Sequence, residues 1–291
     1  MNLLYVTFGS NVNIHLQAAF SVCSFLSQKD SIASINIITD SPEHYTILES
    51  HVNIIKVTEA QLKDWQGEYN FFWRIKIKAI EMLCHLYPNE PILYLDTDTF
   101  LFTKIDLLKQ QLQSGKALMH ENEGALALKK SKTEKKMWQQ VGSKKFGSCT
   151  ILSTDCMWNA GVVAIPNTQN GTDCALALTI CDDMCKANVT KRLIEQFALS
   201  VALEKCYGLI EARSSIAHYW SAKKIWDKEI ADFFIKAYLH KWSFEQVVVK
   251  VMEMDKSKIP LAQKERNFNN RLKKIADKLF PNKIINYLNV P

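Results

Sequence analysis

Four short apolar runs, separated by stretches of helical spacing, restrict what the first third of this chain can become. Leu3–Phe8, Ala33–Thr39, Val52–Val57 and Ile92–Leu95 are dominated by apolar and β-branched residues. Between them, Asn13–Gln28 repeats Ile14, Ala18, Val22, Phe25 and Leu26 at helical spacing, and Phe71–Tyr87 reads as a second helix stopped by the segment from Pro88 to Pro91. Runs of this kind suit strands covered on both faces, and strand–helix–strand succession requires parallel crossovers. The expected fold class is therefore α/β: a mostly parallel sheet with helices on both faces. In open sheets of this type ligands collect beyond the C-terminal strand ends. That places Thr7, Phe8, Gly9 and Ser10, Asp40, and Asp96 to Asp98 at one shared site.

The remainder is less regular. Ala117–His120 and Val162–Ile165 read as strands, and 129–147 as a polar, basic helix followed by a loop. Ala175–Ala187, Leu193–Cys206, Ile225–Leu239, Phe244–Met254 and Arg266–Phe280 have helical periodicity. The expected division is a catalytic domain over 1–226 and a basic helical C-terminal extension over 227–291. Residues 256–283 hold nine Lys or Arg against two acids in a chain of net charge +6, so everything outside that stretch is close to neutral. Within it, Phe268, Leu272, Ile275, Ala276 and Leu279 share one face, ringed by Arg271, Lys273, Lys274 and Lys278. Such a helix suits peripheral contact with an anionic membrane, or packs its apolar face on the catalytic domain. It lacks the interleaved aromatics that would suit nucleic acid, so no nucleic-acid partner is expected. No apolar run approaches the roughly 20 residues that span a bilayer, and no signal segment is visible at the N-terminus. With no C-x-x-C pair among eight cysteines, reduced thiols and a cytoplasmic location are expected.

The sharpest local feature is Tyr94-Leu95-Asp96-Thr97-Asp98-Thr99-Phe100. Two carboxylates at i and i+2, where an apolar strand frays into a loop, can converge on one hard divalent cation, Mn²⁺ or Mg²⁺. By itself the pattern fits equally a solvated turn with two capping aspartates. A second feature is His218-Tyr219-Trp220-Ser221-Ala222-Lys223-Lys224-Ile225-Trp226. Its imidazole can complete a metal shell and its ammonium groups can neutralise a diphosphate.

Together these two segments resemble glycosyltransferase family eight, the group that includes bacterial lipopolysaccharide galactosyl- and glucosyltransferases and the glycogenins. The resemblance implies a GT-A fold, whose Rossmann-like sheet is mixed but mostly parallel, and a UDP-sugar donor. It places Asp96, Asp98 and His218 on Mn²⁺ and Lys224, or its neighbour Lys223, on the diphosphate, with Trp226 matching the family's aromatic. Ser221 and Ile225 stand where the family usually has Gly and Pro. Trp158-Asn159-Ala160-Gly161-Val162 resembles the family's stretch facing the donor sugar, and small residues there let a ligand approach the backbone. Glu195-Gln196 resembles the family's Asp-Gln pair near the reacting carbon, which with Asp98 makes the expected catalytic set. Arg74 and Lys78, at i and i+4, resemble its basic residue ahead of the D-x-D strand. Thr7, Phe8, Gly9, Asp40 and Thr97 complete the expected donor contacts. The resemblance covers residues 2 to 226 and implies a retaining hexosyltransferase acting on a glycan or glycolipid acceptor.

Two other functions compete. A haloacid-dehalogenase-like phosphatase also places Asp-x-Asp after an apolar strand, but it needs Thr or Val four residues after the first Asp, where this chain has Phe100. A nucleotide-sugar-binding module without activity would keep the same donor contacts.

Overall fold

The computed structural model describes residues 1–48 and 50–263, together with Leu272, Ile275, Ala276, Lys278, Leu279 and Phe280. In chain order the elements are β1 (Asn2–Thr7), α1 (Val12–Leu26), β2 (Ser34–Thr39), β3 (Asn53–Lys56), α2 (Glu59–Trp65), α3 (Arg74–Leu86), β4 (Ile92–Leu95), β5 (Thr99–Leu101), α4 (Asp106–Gln113), β6 (Ala117–Met119) and β7 (Asn122–Ala125). There follow α5 (Lys132–Val141), β8 (Lys145–Phe146), β9 (Cys149–Thr150), β10 (Cys156–Trp158), β11 (Val162–Ile165), α6 (Thr172–Lys186), α7 (Ile194–Tyr207), β12 (Leu209–Glu211), β13 (Ile216–His218), α8 (Lys223–Leu239) and α9 (Phe244–Glu253).

The main sheet has seven strands in the order β12-β6-β11-β4-β1-β2-β3. The expected mixed, mostly parallel sheet is present: β1, β2, β3 and β4 run parallel, β12 runs parallel to β6, and β11 alone is antiparallel to both its neighbours. The apolar runs follow from two-sided burial. Along β1, Leu3 and Tyr5 face the core shared with α1 and α4, whereas Leu4 faces the core shared with α3, α6 and α7. Successive side chains of a strand point to opposite faces, so a strand with helices on both sides must be apolar throughout.

A third, aromatic core joins α8 and α9 to this body. Phe20 of α1 and Phe100 of β5 pack with Tyr219, Trp226, Ile230 and Phe233. The Tyr219 and Trp226 rings stack at 4.7 Å. The expected division at residue 226 falls inside α8, and α8 lies against α1. Of the expected basic C-terminal helix, Phe268, Arg271, Lys273 and Lys274 lie outside the described residues. The side chains of Leu272, Ile275 and Leu279 are exposed. All eight cysteines are free thiols. Among the described residues no helix is long and apolar enough to cross a membrane.

Candidate active site

At the C-terminal ends of β1 and β4 the chain lines a cavity of about 750 Å³. Its floor is built by one pairing. Strand β13 lies antiparallel to β5 with His218 opposite Thr99, and the Tyr219 amide donates to the Asp98 carbonyl at 3.1 Å. That register brings a histidine 120 positions downstream beside the aspartates. Asp96, Asp98 and His218 each offer a ligand atom within 4.8 Å of the others. Asp98 is only 4% exposed. Its Oδ1 lies 3.5 Å from His218 Nε2 and its Oδ2 lies 3.0 Å from Lys223 Nζ. Burial works to raise the Asp98 pKa, but His218 and Lys223 outweigh it and hold the carboxyl well below its ordinary range.

The state of His218 follows from its neighbours. The Gly161 amide donates to Asn159 Oδ1 at 3.0 Å, which fixes that oxygen as an acceptor. The same oxygen lies 3.0 Å from His218 Nδ1, so Nδ1 carries the proton. A proton held at Nδ1 makes Nε2 the nitrogen that would turn to a metal ion, the arrangement of a metal-ligating imidazole. Two carboxylates and an imidazole lone pair in one buried corner fit a divalent cation such as Mn²⁺ or Mg²⁺. Edge-on to His218, at 5.1 Å, stands His120. Burial first, and then His218, lower the His120 pKa to about 4, so it stays neutral beside the cluster.

Beside the metal corner is a buried cation. Lys76 of α3 places Nζ 3.2 Å from Asp96 Oδ1 and 3.1 Å from Glu195 Oε1, and donates to the Ala160 carbonyl at 3.1 Å. Tyr94 donates its hydroxyl to the same Asp96 oxygen at 2.6 Å, because residues two apart on a strand share a face. Burial lowers the Lys76 pKa, but Asp96 and Glu195 together more than reverse it. Burial raises the Glu195 pKa against the pull of Lys76. Oε1 of Glu195 is within ion-pair distance of Lys76 yet lacks an aligned hydrogen bond.

The expected residues divide into two groups. Thr7, Phe8, Asp96, Thr97, Asp98, Asn159, Ala160, Gly161, Gln196, His218 and Lys223 all line the cavity. Glu195 sits behind Lys76, 8% exposed. Gly9 and Asp40 lie outside the lining, and the Asp40 carboxylate is occupied by the Gly9 amide at 2.9 and 3.2 Å. Lys224 is exposed and outside the lining, and in the first turn of α8 it is Lys223 that pairs with Asp98. Arg74 and Lys78 do not reach the cavity either. Arg74 forks onto Asp182 at 2.7 and 3.0 Å, and Lys78 pairs with Glu81. Arg74, Lys76 and Lys78 alternate with Ile75, Ile77 and Ala79, so nothing in the sequence singled out Lys76. Glu123 also lines the cavity, with Asn159 Nδ2 and Gln196 Nε2 each 3.4 Å from its carboxylate. Burial raises its pKa. Nothing in a four-residue strand marked it out.

No protein-family model matches the sequence, and no curated protein sequence matches it. Solved structures do resemble it. An active-site mutant of LgtC matches with a TM-score of 0.48 and 14% identity, over 73% of this chain and 72% of that one. Mouse xyloside xylosyltransferase 1 in its apo form matches with a TM-score of 0.44 and 14% identity, over 72% and 85%. The bifunctional IspDF of Campylobacter jejuni matches with a TM-score of 0.40 and 12% identity, over 73% and 49%. At these identities and TM-scores the likeness concerns the path of the chain and assigns no residue a role.

Proposed function

We propose that the protein is a metal-dependent glycosyltransferase that moves a hexose from a nucleotide diphosphate sugar, a UDP-sugar, to a glycan or glycolipid acceptor. The observation that carries this reading is the convergence of Asp96, Asp98 and His218 on one corner of a large cavity, with Lys223 alongside. Mn²⁺ held by these three would act as a Lewis acid toward the departing diphosphate. Lys223 supplies a second positive charge from the first turn of α8, where the helix terminus also favours an anion. Donor binding draws Lys223 from Asp98 onto a phosphate oxygen. Charge placed in advance in a site screened from water counts for more than the same charge in bulk.

The sugar would lie over Ala160 and Gly161, where the chain exposes backbone instead of side chain, with Gln196 beside its reacting carbon. Glu195 is tied to the Lys76 ammonium and is not free to attack. Without a free nucleophile, the leaving phosphate oxygen is the nearest base for the acceptor hydroxyl on the same face, an outcome that retains configuration. Phe8 at the rim offers a ring on which a base stacks. The phosphatase reading needs Asp96 as nucleophile, and its Oδ1 already accepts from Tyr94 and Lys76.

The test is a panel of nucleotide sugars with Mn²⁺, scored for thermal stabilisation and for release of the nucleotide. Stabilisation by a UDP-sugar that a chelator abolishes supports the reading. Stabilisation by none of the panel, with or without the ion, rejects it. Donor binding without hydrolysis or transfer across the acceptors tried would favour the inactive binding module.

A further inference from the structure

Between residues 129 and 145 the chain carries seven lysines and a single acid, Glu134. The site described above uses none of the exposed lysines of this run. Helix α5 explains where its charges go. Ser131 caps the helix by accepting from the Glu134 amide, and Met137 and Val141 anchor the inner face, both fully buried. Lys132, Lys135, Lys136 and Gln139 follow at i, i+3, i+4 and i+7 and so fall on the opposite face. Lys130 precedes the cap, and it and these three helix lysines are exposed. Among the described residues, Lys129 is the one lysine of the run with a carboxylate partner, through Glu134 and Glu123. The exposed ones therefore form a local patch of unneutralised positive charge, whereas residues 1–255 taken together are close to neutral.

Two exposed leucines flank the patch. Leu128 is 78% exposed and Leu152 is 55% exposed. They occupy adjoining loops, held together by the Leu126 amide donating to the Asp155 carbonyl at 3.0 Å. We propose that the lysine face of α5, with Leu128 and Leu152 beside it, docks the protein on an anionic lipid surface. Lysines there act as point charges in the diffuse field of acidic headgroups, and leucines enter the boundary with the acyl chains. Nucleic acid fits less well. The run has no arginine for bidentate phosphate contact, and its single aromatic, Trp138, is partly buried on the inner side of the helix. Ser131 and Thr133, in the first turn of the same helix, line the cavity. The docking stands apart from the proposed transfer reaction and is tested without it.

The experiment is flotation of the full chain with phosphatidylcholine vesicles, with and without phosphatidylglycerol. Three proteins are compared: the native chain, a variant with Lys130, Lys132, Lys135 and Lys136 all changed to Gln, and one with Arg271, Lys273, Lys274 and Lys278 all changed to Gln. The native chain is expected to float only with the anionic vesicles and to release as salt rises. Each lysine facing such a surface strengthens binding roughly fivefold, so the α5 variant should lose at least about tenfold. Its melting temperature should stay unchanged, since these side chains are exposed. The C-terminal variant should keep most of the binding, and Leu128→Ser should weaken it. Equal flotation of the native chain and the α5 variant overturns the proposal. So does a native chain that ignores anionic vesicles, or binding lost only in the C-terminal variant.

Discussion

The ring of His218 occupies the space where a side chain on residue 161 would stand. A Cβ built on Gly161 would lie 2.2 to 2.7 Å from three atoms of that imidazole, so backbone and ring are packed with nothing between them. Gly161→Ala must push His218 away from Asp98 or shift the strand that carries it. Overpacking of this kind typically costs about 1–3 kcal/mol. We expect a folded protein with a lowered melting temperature and no stabilisation by Mn²⁺. An alanine variant with the native metal response would show that the ring has room to spare.

Asn159 sets the proton on His218 through Oδ1, itself held by the Gly161 amide. Asn159→Ala removes the acceptor, frees the ring to rotate and allows the proton onto Nε2. Loss of a partner of this kind typically costs about 10- to 100-fold in metal affinity. Titration calorimetry with Mn²⁺ should read that loss while the unfolding midpoint moves little.

Lys76 bridges Asp96 and Glu195 with its ammonium largely out of water. Lys76→Met strands two acids, one of them Glu195, which is itself buried. Breaking a buried pair by removing one partner costs about 3–5 kcal/mol. Lys76→Met combined with Glu195→Gln should recover much of that loss. Urea denaturation of the two singles and the double supplies the cycle. Fully additive losses would mean that the two side chains do not interact.

The pH dependence of stability should carry a signature from His15. Its Nε2 lies 2.7 Å from the Gly9 carbonyl, its Nδ1 lies 2.9 Å from the Tyr45 hydroxyl, and its ring stacks on His44 at 4.0 Å. Burial lowers its pKa, the Gly9 carbonyl works against that, and His44 lowers it further, leaving it below the ordinary value. In the unfolded chain the ring takes up a proton near pH 6.5. Its contribution to stability is therefore complete above about pH 6.5 and is lost as the pH falls from there toward the folded value. The unfolding free energy of His15→Gln should fall less steeply than that of the native protein over this window. Parallel slopes would remove His15 from the account.

The main strands and helices were legible because each obeys one rule along its length. Leu3 to Tyr5 and Ile92 to Leu95 are apolar at every position because helices cover both sides of the sheet. The short long-range strand pairs that complete the site were not legible. β5, β7, β10 and β13 are three or four residues long, too short to show a period. Yet β5 and β13 carry His218 to Asp98. The choice of Lys76 over Arg74 and Lys78 shows a second limit. Spacing puts 74 and 78 on one face and 76 on another, but only the packing of α3 against the sheet decides which face looks into the cavity. Lys223 and Lys224 differ in the same way, by where α8 begins.

The central claim is that Asp96, Asp98 and His218 hold one divalent ion. Titration calorimetry of Mn²⁺ in the presence of a UDP-sugar tests it most directly, with the native chain set beside Asp98→Asn and His218→Ala. The account predicts one ion per native chain and at least about a hundredfold weaker binding in each variant, as expected when a buried ligand or its fixed geometry is lost. Unchanged Mn²⁺ affinity in both variants, with the fold intact, would contradict it.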